Sequence, residues 1–323
     1  MQKKNAEYPF YLEKITAHAV ELSGIYGILY HCSIQSPFQG VYIMSEEAKK
    51  CGNPSAGGLD AIIVENSLKK IKNKLIVMSG KGGVGKSTVA VNLAMGLAMD
   101  GYSVGLLDID LHGPSVPKML KLEGEAPLAD ENGKMYPVEF GSLKVMSVGF
   151  LLRDTDEAVI WRGPVKMGVI KQFITDVEWG ELDYLVVDAP PGTGDEPLTI
   201  CQLVGNEAGA VIVTSPQQVA AVDVSKSLNF CCQLEMPVAG IIENMSGFAC
   251  PHCGEITNIF SSGAGEQLAK QYGVELLGKI PIDPVICGDG DAGTPFVHYH
   301  AKTATGKAFA EIVQKIAGRE RAK

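Results

Sequence analysis

"MSGKGGVGKSTVAVNLA", residues 78–94, decides the fold, and it satisfies two phosphate-binding patterns at once. Gly80, Gly82 and Gly85 fit the G-x-G-x-x-G of a dinucleotide site, whereas Gly80 to Ser87 fit G-x-x-x-x-G-K-S, the P-loop of triphosphate-binding proteins. The residues beside the glycines separate the two. Lys86 supplies a cation suited to β- and γ-phosphates, and Ser87 a hydroxyl suited to Mg²⁺. The pyrophosphate of a dinucleotide requires neither. Asp108 stands where a dinucleotide fold places its ribose-binding acid. Against that, "YLVVDAPPG" (184–192) is an apolar strand ending in Asp188, the Walker-B arrangement that sets a carboxylate near Mg²⁺, and Lys81 adds a second cation inside the loop. The triphosphate reading prevails.

The chemistry follows from charge. Phosphoryl transfer develops negative charge on the γ-oxygens and the bridging oxygen, which fixed cations and backbone N–H groups stabilise. Gly82, Gly83 and Gly85 let the backbone approach closely, Val84 and Thr88 complete the loop, and a helix starting near Lys86 turns its positive end to the phosphates. "DIDLHGPS" (108–115) offers Asp108 and Asp110 after the next strand, placed to orient an attacking water; the plainer reading is a solvated turn.

Outward from the loop the pattern is regular. "LDAIIVENSLKKIKN" (59–73) has helical spacing, residues 74–79 read as a buried strand, and Val89–Met99 as a helix closed by Gly101. Further strands are expected at 102–110, 143–150, 184–189, 210–215, 238–245 and 274–281, with helices between most of them. Short apolar strands alternating with helices predict an α/β fold of the P-loop NTPase type, a mostly parallel twisted sheet with helices on both faces. Residues 1–58 read as an N-terminal extension, with 1–43 either upstream of a true start at Met44 or a small accessory segment; residues 59–323 read as the P-loop domain.

Composition excludes other classes. Hydrophobic residues make up 46% and charged residues 20% of the 323-residue chain, and the net charge is −9. An acidic balance argues against nucleic-acid binding by bulk electrostatics, and no apolar run is long enough to span a membrane. Eight scattered cysteines suit reduced thiols and a cytoplasmic setting better than a disulfide scaffold. Cys201, Cys231, Cys232 and Cys287 sit in apolar or helical contexts, where most are expected to be buried.

Cys250 and Cys253 in "ACPHCGE" are different. Two thiolates at this spacing bind one metal centre and leave it half filled; a two-fold dimer supplies the same pair again. The residues alone leave an iron–sulfur cluster and a zinc knuckle open, with a reversible disulfide as a third reading. His252, between the thiols, reads as a neighbour rather than a ligand.

"KGGVGKST" with Lys81 resembles the deviant Walker-A ATPases, and six further stretches narrow the resemblance: "DIDLHGPSVP", "WRGPVKMGVIKQF", "DYLVVDAPPGTGDEPLT", "SPQQVAAVDVSKSLNF", "ENMSGFACPHCGE" and "GKIPIDP". Together, over about residues 60–315, they resemble the Mrp-type iron–sulfur cluster carrier ATPases. The resemblance implies a homodimer that binds and slowly hydrolyses ATP with Mg²⁺ and passes a cluster from a donor to apo iron–sulfur proteins. By position, Lys81 would reach the partner's phosphates, Lys86 would be the P-loop lysine and Ser87 the Mg²⁺ ligand. Asp110 would orient water, and Asp188 would act through Mg²⁺-bound water. Asn244, Pro281 and Ile282 would flank the adenine, and Asp195 would belong to a switch loop. The resemblance favours a [4Fe–4S] cluster shared between subunits through Cys250 and Cys253. "WRGP" matches the family, but Arg162 has no evident physical role. Some relatives carry a four-cysteine site near the N-terminus; here only Cys32 and Cys51 precede the P-loop, and no second cluster is expected there.

Two other functions compete. A partition- or septum-site-type positioning ATPase with structural zinc would need a membrane helix or a basic surface. The C-terminal stripe Phe309, Ile312, Val313 and Ile316 reads instead as a face docked on its own core. A nitrogenase-reductase-like electron donor would place its cluster ligands far apart in sequence, unlike C-P-H-C.

Overall fold

A computed structural model describes residues 57–111, 113–151, 163–249, 256–260 and 263–318. Nearly all of the expected 1–58 extension, together with Arg162, Cys32, Cys51, Cys250, His252 and Cys253, lies outside the described residues. The chain opens with α1 (Gly57–Lys69), β1 (Ile71–Met78), α2 (Lys86–Met99), β2 (Val104–Asp108) and a short α3 (Val116–Met119). Four small or edge strands follow: β3 (Leu128–Ala129), β4 (Met135–Tyr136), β5 (Val138–Phe140) and β6 (Leu143–Ser147). Next come α4 (Gly163–Thr175), β7 (Leu182–Asp188), α5 (Asp195–Val204), β8 (Ala208–Thr214) and α6 (Gln218–Gln233). The chain closes with β9 (Val238–Ala249), β10 (Ile256–Thr257), α7 (Ala264–Tyr272), β11 (Leu276–Ile282), α8 (Pro284–Ala292), α9 (Phe296–Tyr299) and α10 (Ala304–Gly318).

The sheet order is β10-β9-β8-β1-β7-β2-β6-β5, with β11 also on β9. All of these pairings are parallel except β5 on β6 and β10 on β9. Leu75, Ile76, Val77 and Met78 of β1 are all buried. Because successive side chains in a strand point to opposite sides, that run requires cover on both faces. Helix α4 packs with both α1 and α5, and α2 packs with α9 and α10. Close approach in the second group uses Gly96, where a Cβ would stand 2.7 Å from Val313 Cγ2. The expected stripe Phe309, Ile312, Val313 and Ile316 is buried. Among the described residues, no helix is long and apolar enough to cross a membrane.

Several expectations shift. The helix expected over 59–73 ends at Lys69, because Ile71 is buried and pairs with Leu182 as the first rung of β1. The strand expected to end at residue 150 stops at Ser147 and turns into a 3₁₀ segment, Val148–Leu151. Strand β9 runs past residue 245 to Ala249, extended by its pairing with β10. Cys201 and Cys231 are buried as expected, and burial pushes their thiols up to about 12 and about 11, which leaves them protonated. Cys232 and Cys287 are exposed, contrary to expectation: Cys232 follows Cys231 on α6 and so points away from the buried face.

Candidate phosphate-binding site

The site lies at the carboxyl ends of the parallel strands, where β1 separates β8 from β7 and the connections diverge. Strand β1 feeds the loop that holds Gly80 to Gly85, and α2 begins at Lys86. Gly85 caps that helix with a left-handed φ of 79°, a conformation that excludes most side chains. Gly80 is required for another reason: a Cβ there would lie 2.3 Å from the carbonyl carbon of Asp223 on α6. The main chain of α6 packs directly on the base of the loop. Gly82 and Gly83 are exposed at its crest, and Val84 is buried beneath.

Register places the acids. Val77, Asp188, Asp108 and Ser147 lie in one row across β1, β7, β2 and β6. Lys86 Nζ donates to Asp188 Oδ1 at 2.5 Å, stands 3.7 Å from Asp110 Oδ2 and lies 3.4 Å from Ser87 Oγ. Lys86, Asp108, Asp110 and Asp188 are all buried. Burial, reinforced by the Asp188 carboxylate, pushes Asp108 up to about 8. Burial also raises Asp188, with Lys86 and the Ser87 hydroxyl pulling it back. A cluster of one cation and three carboxyl groups under the P-loop holds more acid than its own lysine neutralises.

Asp188 Oδ2 is buried and has no hydrogen-bond partner among the described residues. An orphaned carboxylate oxygen beside a serine hydroxyl suits a hydrated divalent cation, and the donor set is the hard-oxygen type that Mg²⁺ prefers. The residues therefore fit Mg²⁺.

The other expected site residues fall in two groups. Asn244 reaches the loop: its Nδ2 donates to Val84 O at 2.9 Å and stands against Gly85. Ile280 of β11 is its partner across the strands and Pro281 follows it, but the register then shifts and Ile282 pairs with Phe248, four residues beyond Asn244. Lys81 Nζ donates to Gln217 Oε1 at 3.3 Å, just before α6. Thr88 sits in the first turn of α2, where its carbonyl accepts from Asn92. Asp195 opens α5, and the neighbouring Glu196 pairs with Lys166 at 2.7 Å. Cys250 and Cys253 fall between Ala249 and Ile256, which face each other as the last described rung of β9 and β10.

Two buried polar residues near these elements carry no motif. Ser147 Oγ donates to Asp108 Oδ2 at 2.8 Å, and Glu243 is fully buried, accepting from Ser246 Oγ at 2.6 Å and from the Gly265 N–H at 2.7 Å. A serine at a strand end has no local signature. Glu243 was visible only as a charged residue inside an apolar strand.

A P-loop on a strand–loop–helix, a second strand ending in a buried carboxylate and a buried lysine between them define a P-loop NTPase. Residues 70–317 match the family model described as ParA, NUBPL iron-transfer P-loop NTPase, and the chain belongs to that family. An iron–sulfur cluster carrier protein of Methanocaldococcus jannaschii is 50% identical over 263 residues, 81% of this chain and 90% of that protein. The cytosolic Fe-S cluster assembly factor NUBP2 of Rattus norvegicus is 46% identical over 262 residues, 80% of this chain and 97% of that protein. A nucleotide-binding protein from Archaeoglobus fulgidus, solved with ADP, superimposes with a TM-score of 0.65 at 41% identity, covering 73% of this chain and 92% of that one. The cell division ATPase MinD of Pyrococcus furiosus shares the fold at a TM-score of 0.57 and 23% identity, over 77% of this chain and 99% of that one.

Proposed function

We propose that this chain is an ATP-hydrolysing carrier that binds an iron–sulfur cluster through Cys250 and Cys253 and delivers it to apo iron–sulfur proteins. The observation that carries the reading is β9. One strand touches the P-loop through Asn244 and ends at the residue before Cys250. The names of the relatives support the cargo, and the buried lysine–carboxylate cluster supports the hydrolysis.

In the proposed reaction the N–H groups of residues 82–87 and the positive end of α2 hold the phosphates. Lys86 leaves Asp188 and moves its charge to the β- and γ-oxygens, where the transition state develops charge. Ser87 Oγ and, through water, Asp188 would hold Mg²⁺, which when bound adds positive charge at the same oxygens. Asp110 orients the attacking water. Lys81 leaves Gln217 and completes the partner protomer's site, so turnover is slow until two protomers meet. Asn244, Pro281 and Ile282 form the wall for the adenine. The dimer that brings Lys81 across also brings a second Cys250 and Cys253, giving four thiolates for a [4Fe–4S] cargo.

Anaerobic reconstitution with iron and sulfide tests the cargo. Wild type is expected to show charge-transfer absorption at one cluster per dimer, while Cys250→Ser and Cys253→Ser lose it and still bind ATP. Full retention in both variants would remove these cysteines from the site. Stoichiometric zinc with no iron uptake would make C-P-H-C a zinc knuckle. For the hydrolysis, Asp110→Ala is expected to bind ATP and turn over poorly.

A further inference from the structure

We infer that Ser147 is a positioning residue for ATP hydrolysis, acting through Asp108 to hold the loop that carries Asp110 against Lys86. The inference rests on Asp110 orienting the attacking water.

Asp108 is fully buried at the end of β2, and each of its carboxyl oxygens has one hydrogen-bond partner. Oδ1 accepts the backbone N–H of Asp110 at 3.0 Å. Oδ2 accepts the hydroxyl of Ser147 at 2.8 Å. Ser147 Oγ in turn accepts the N–H of Gly149 at 3.0 Å, which fixes the direction in which its own proton points. Gly149 N–H, Ser147 O–H, Asp108 and Asp110 N–H therefore form one connected network, with no freely rotating member.

Geometry gives the network one position. Ser147 and Asp108 are register partners on adjacent parallel strands, so the serine is held at the level of the carboxylate by the sheet itself. Gly149 is wedged: a Cβ would lie 3.0 Å from Pro117 and 3.1 Å from Pro114, both just downstream of the Asp110 loop. The Ile109 N–H is bound to Asp188 O at 3.1 Å, so the loop is tied to the adjacent strand as well. The Asp108 side chain, through Ser147, ties the backbone of Asp110 itself to β6. Without the Ser147 hydroxyl, Asp108 Oδ2 loses its donor in a place water does not reach, and the carboxylate rotates to find another. Rotation releases the Asp110 N–H, and Asp110 moves relative to Lys86. The nucleotide's binding groups, on the P-loop and α2, are not part of this network.

The test is a kinetic double-mutant cycle on the full-length protein, with ATP turnover, KM for ATP, ADP binding and thermal unfolding measured for each variant. Ser147→Ala is expected to lower kcat about tenfold with KM for ATP and ADP binding within about twofold of wild type, because the lost interaction serves the transition state. Ser147→Thr, which keeps the hydroxyl, is expected to recover most of the rate. In an Asp110→Ala background, Ser147→Ala is expected to cost less than about twofold more, since both changes disable one unit. If Ser147→Ala does not fold, Ser147→Cys, of similar size and a weak donor, is read in its place. Unchanged kcat, a raised KM at unchanged kcat, or a full further tenfold loss in the Asp110→Ala background would each overturn the inference. Asp110→Ala with wild-type turnover would instead overturn the underlying assignment of Asp110, a separate failure visible without any change at Ser147.

Discussion

The two ends of the sheet use the same charged residues under opposite rules. At the carboxyl ends, Lys86, Asp108, Asp110 and Asp188 are buried together. At the amino ends, Lys72 pairs with Asp183 at 2.7 Å, and Lys70 and Lys134 both pair with Glu178, with side chains that reach solvent. Exposed pairs contribute little, a median of about 0–1 kcal/mol each, because water already solvates both partners. Buried pairs cost several kcal/mol per ion in desolvation, and geometry must recover that cost. A fold would not gather three carboxyl groups around one lysine for stability. The amino end is built to stay in solution, and the carboxyl end is held ready for a ligand that brings its own charge. Lys74 marks the border. It is 3% exposed yet reaches Glu207, 81% exposed, at 2.9 Å, a buried stem with its charge delivered to the surface.

The largest break in this comparison is Lys86→Ala. ATP turnover is expected to vanish, and the empty protein to lose about 3–5 kcal/mol, because Asp188 keeps its burial and loses its cation. The loss depends on pH with a defined sign. Burial holds Asp188 above its ordinary value, and without Lys86 it rises further. A carboxyl raised in the folded state is most favourable while protonated, so the variant is nearest to wild type in acid and falls behind as pH climbs through the raised value. Denaturant titrations at a series of pH values measure this; a gap that widens toward acid would contradict it.

Gly80→Ala is an intermediate break, by packing rather than charge. With Asp223 backbone 2.3 Å from the new methyl, α6 or the loop must move, at a cost of about 1–3 kcal/mol. KM for ATP is expected to rise with the loop's displacement. At the amino end, Gly205 has open space around its Cβ direction, and Gly205→Ala meets only the backbone strain of its φ of 65° and ψ of −163°, a region kept almost entirely by glycine, about 1–3 kcal/mol. Thermal unfolding of both and ATP titration sharpen the contrast, because only the first should alter nucleotide affinity.

Glu178→Gln is the smallest break, expected to cost less than about 1 kcal/mol and less still in high salt. Hydrogen bonds from Lys134 and Lys70 hold Glu178 below its ordinary value. A lowered carboxyl stabilises the fold above its unfolded value, and that contribution is lost as pH falls through the folded one. The variant and wild type should therefore converge in acid, as Lys86→Ala does, but across a much smaller gap that salt screens. Gaps of equal size for the two variants, or equal sensitivity to salt, would erase the distinction between the ends.

How far this was legible in the sequence depended on whether the signal was local. The P-loop and the strand ending in Asp188 are contiguous patterns, and the parallel α/β fold followed from them and from the spacing of apolar runs. Contacts across the chain were not legible. Ser147 meets Asp108 from 39 positions away, and Asn244 meets Val84 from 160. A strand-end serine and a strand-end asparagine carry no periodicity to read. The 69–73 boundary failed because Lys69, Lys70 and Lys72 suit an exposed helix face as well as an edge of β1, and tertiary pairing with β7 decided between them. Strands of two or three residues, β3, β4, β5 and β10, are too short to show alternation at all.

Strand β9 also has a mechanical consequence. Asn244 fixes it at the P-loop, and five residues on, at most about 17 Å at about 3.3 Å per residue, it reaches Ala249. Met245 and Gly247 both have left-handed φ values, 60° and 79°, so the compliance of this arm is concentrated beside its fulcrum. A tilt of about 5° at that point displaces the far end by about 1.5 Å, a large fraction of a metal–sulfur bond of about 2.3 Å. Leverage of this kind needs no large rearrangement, only a short stiff arm whose pivot is a side chain on the loop that grips phosphate.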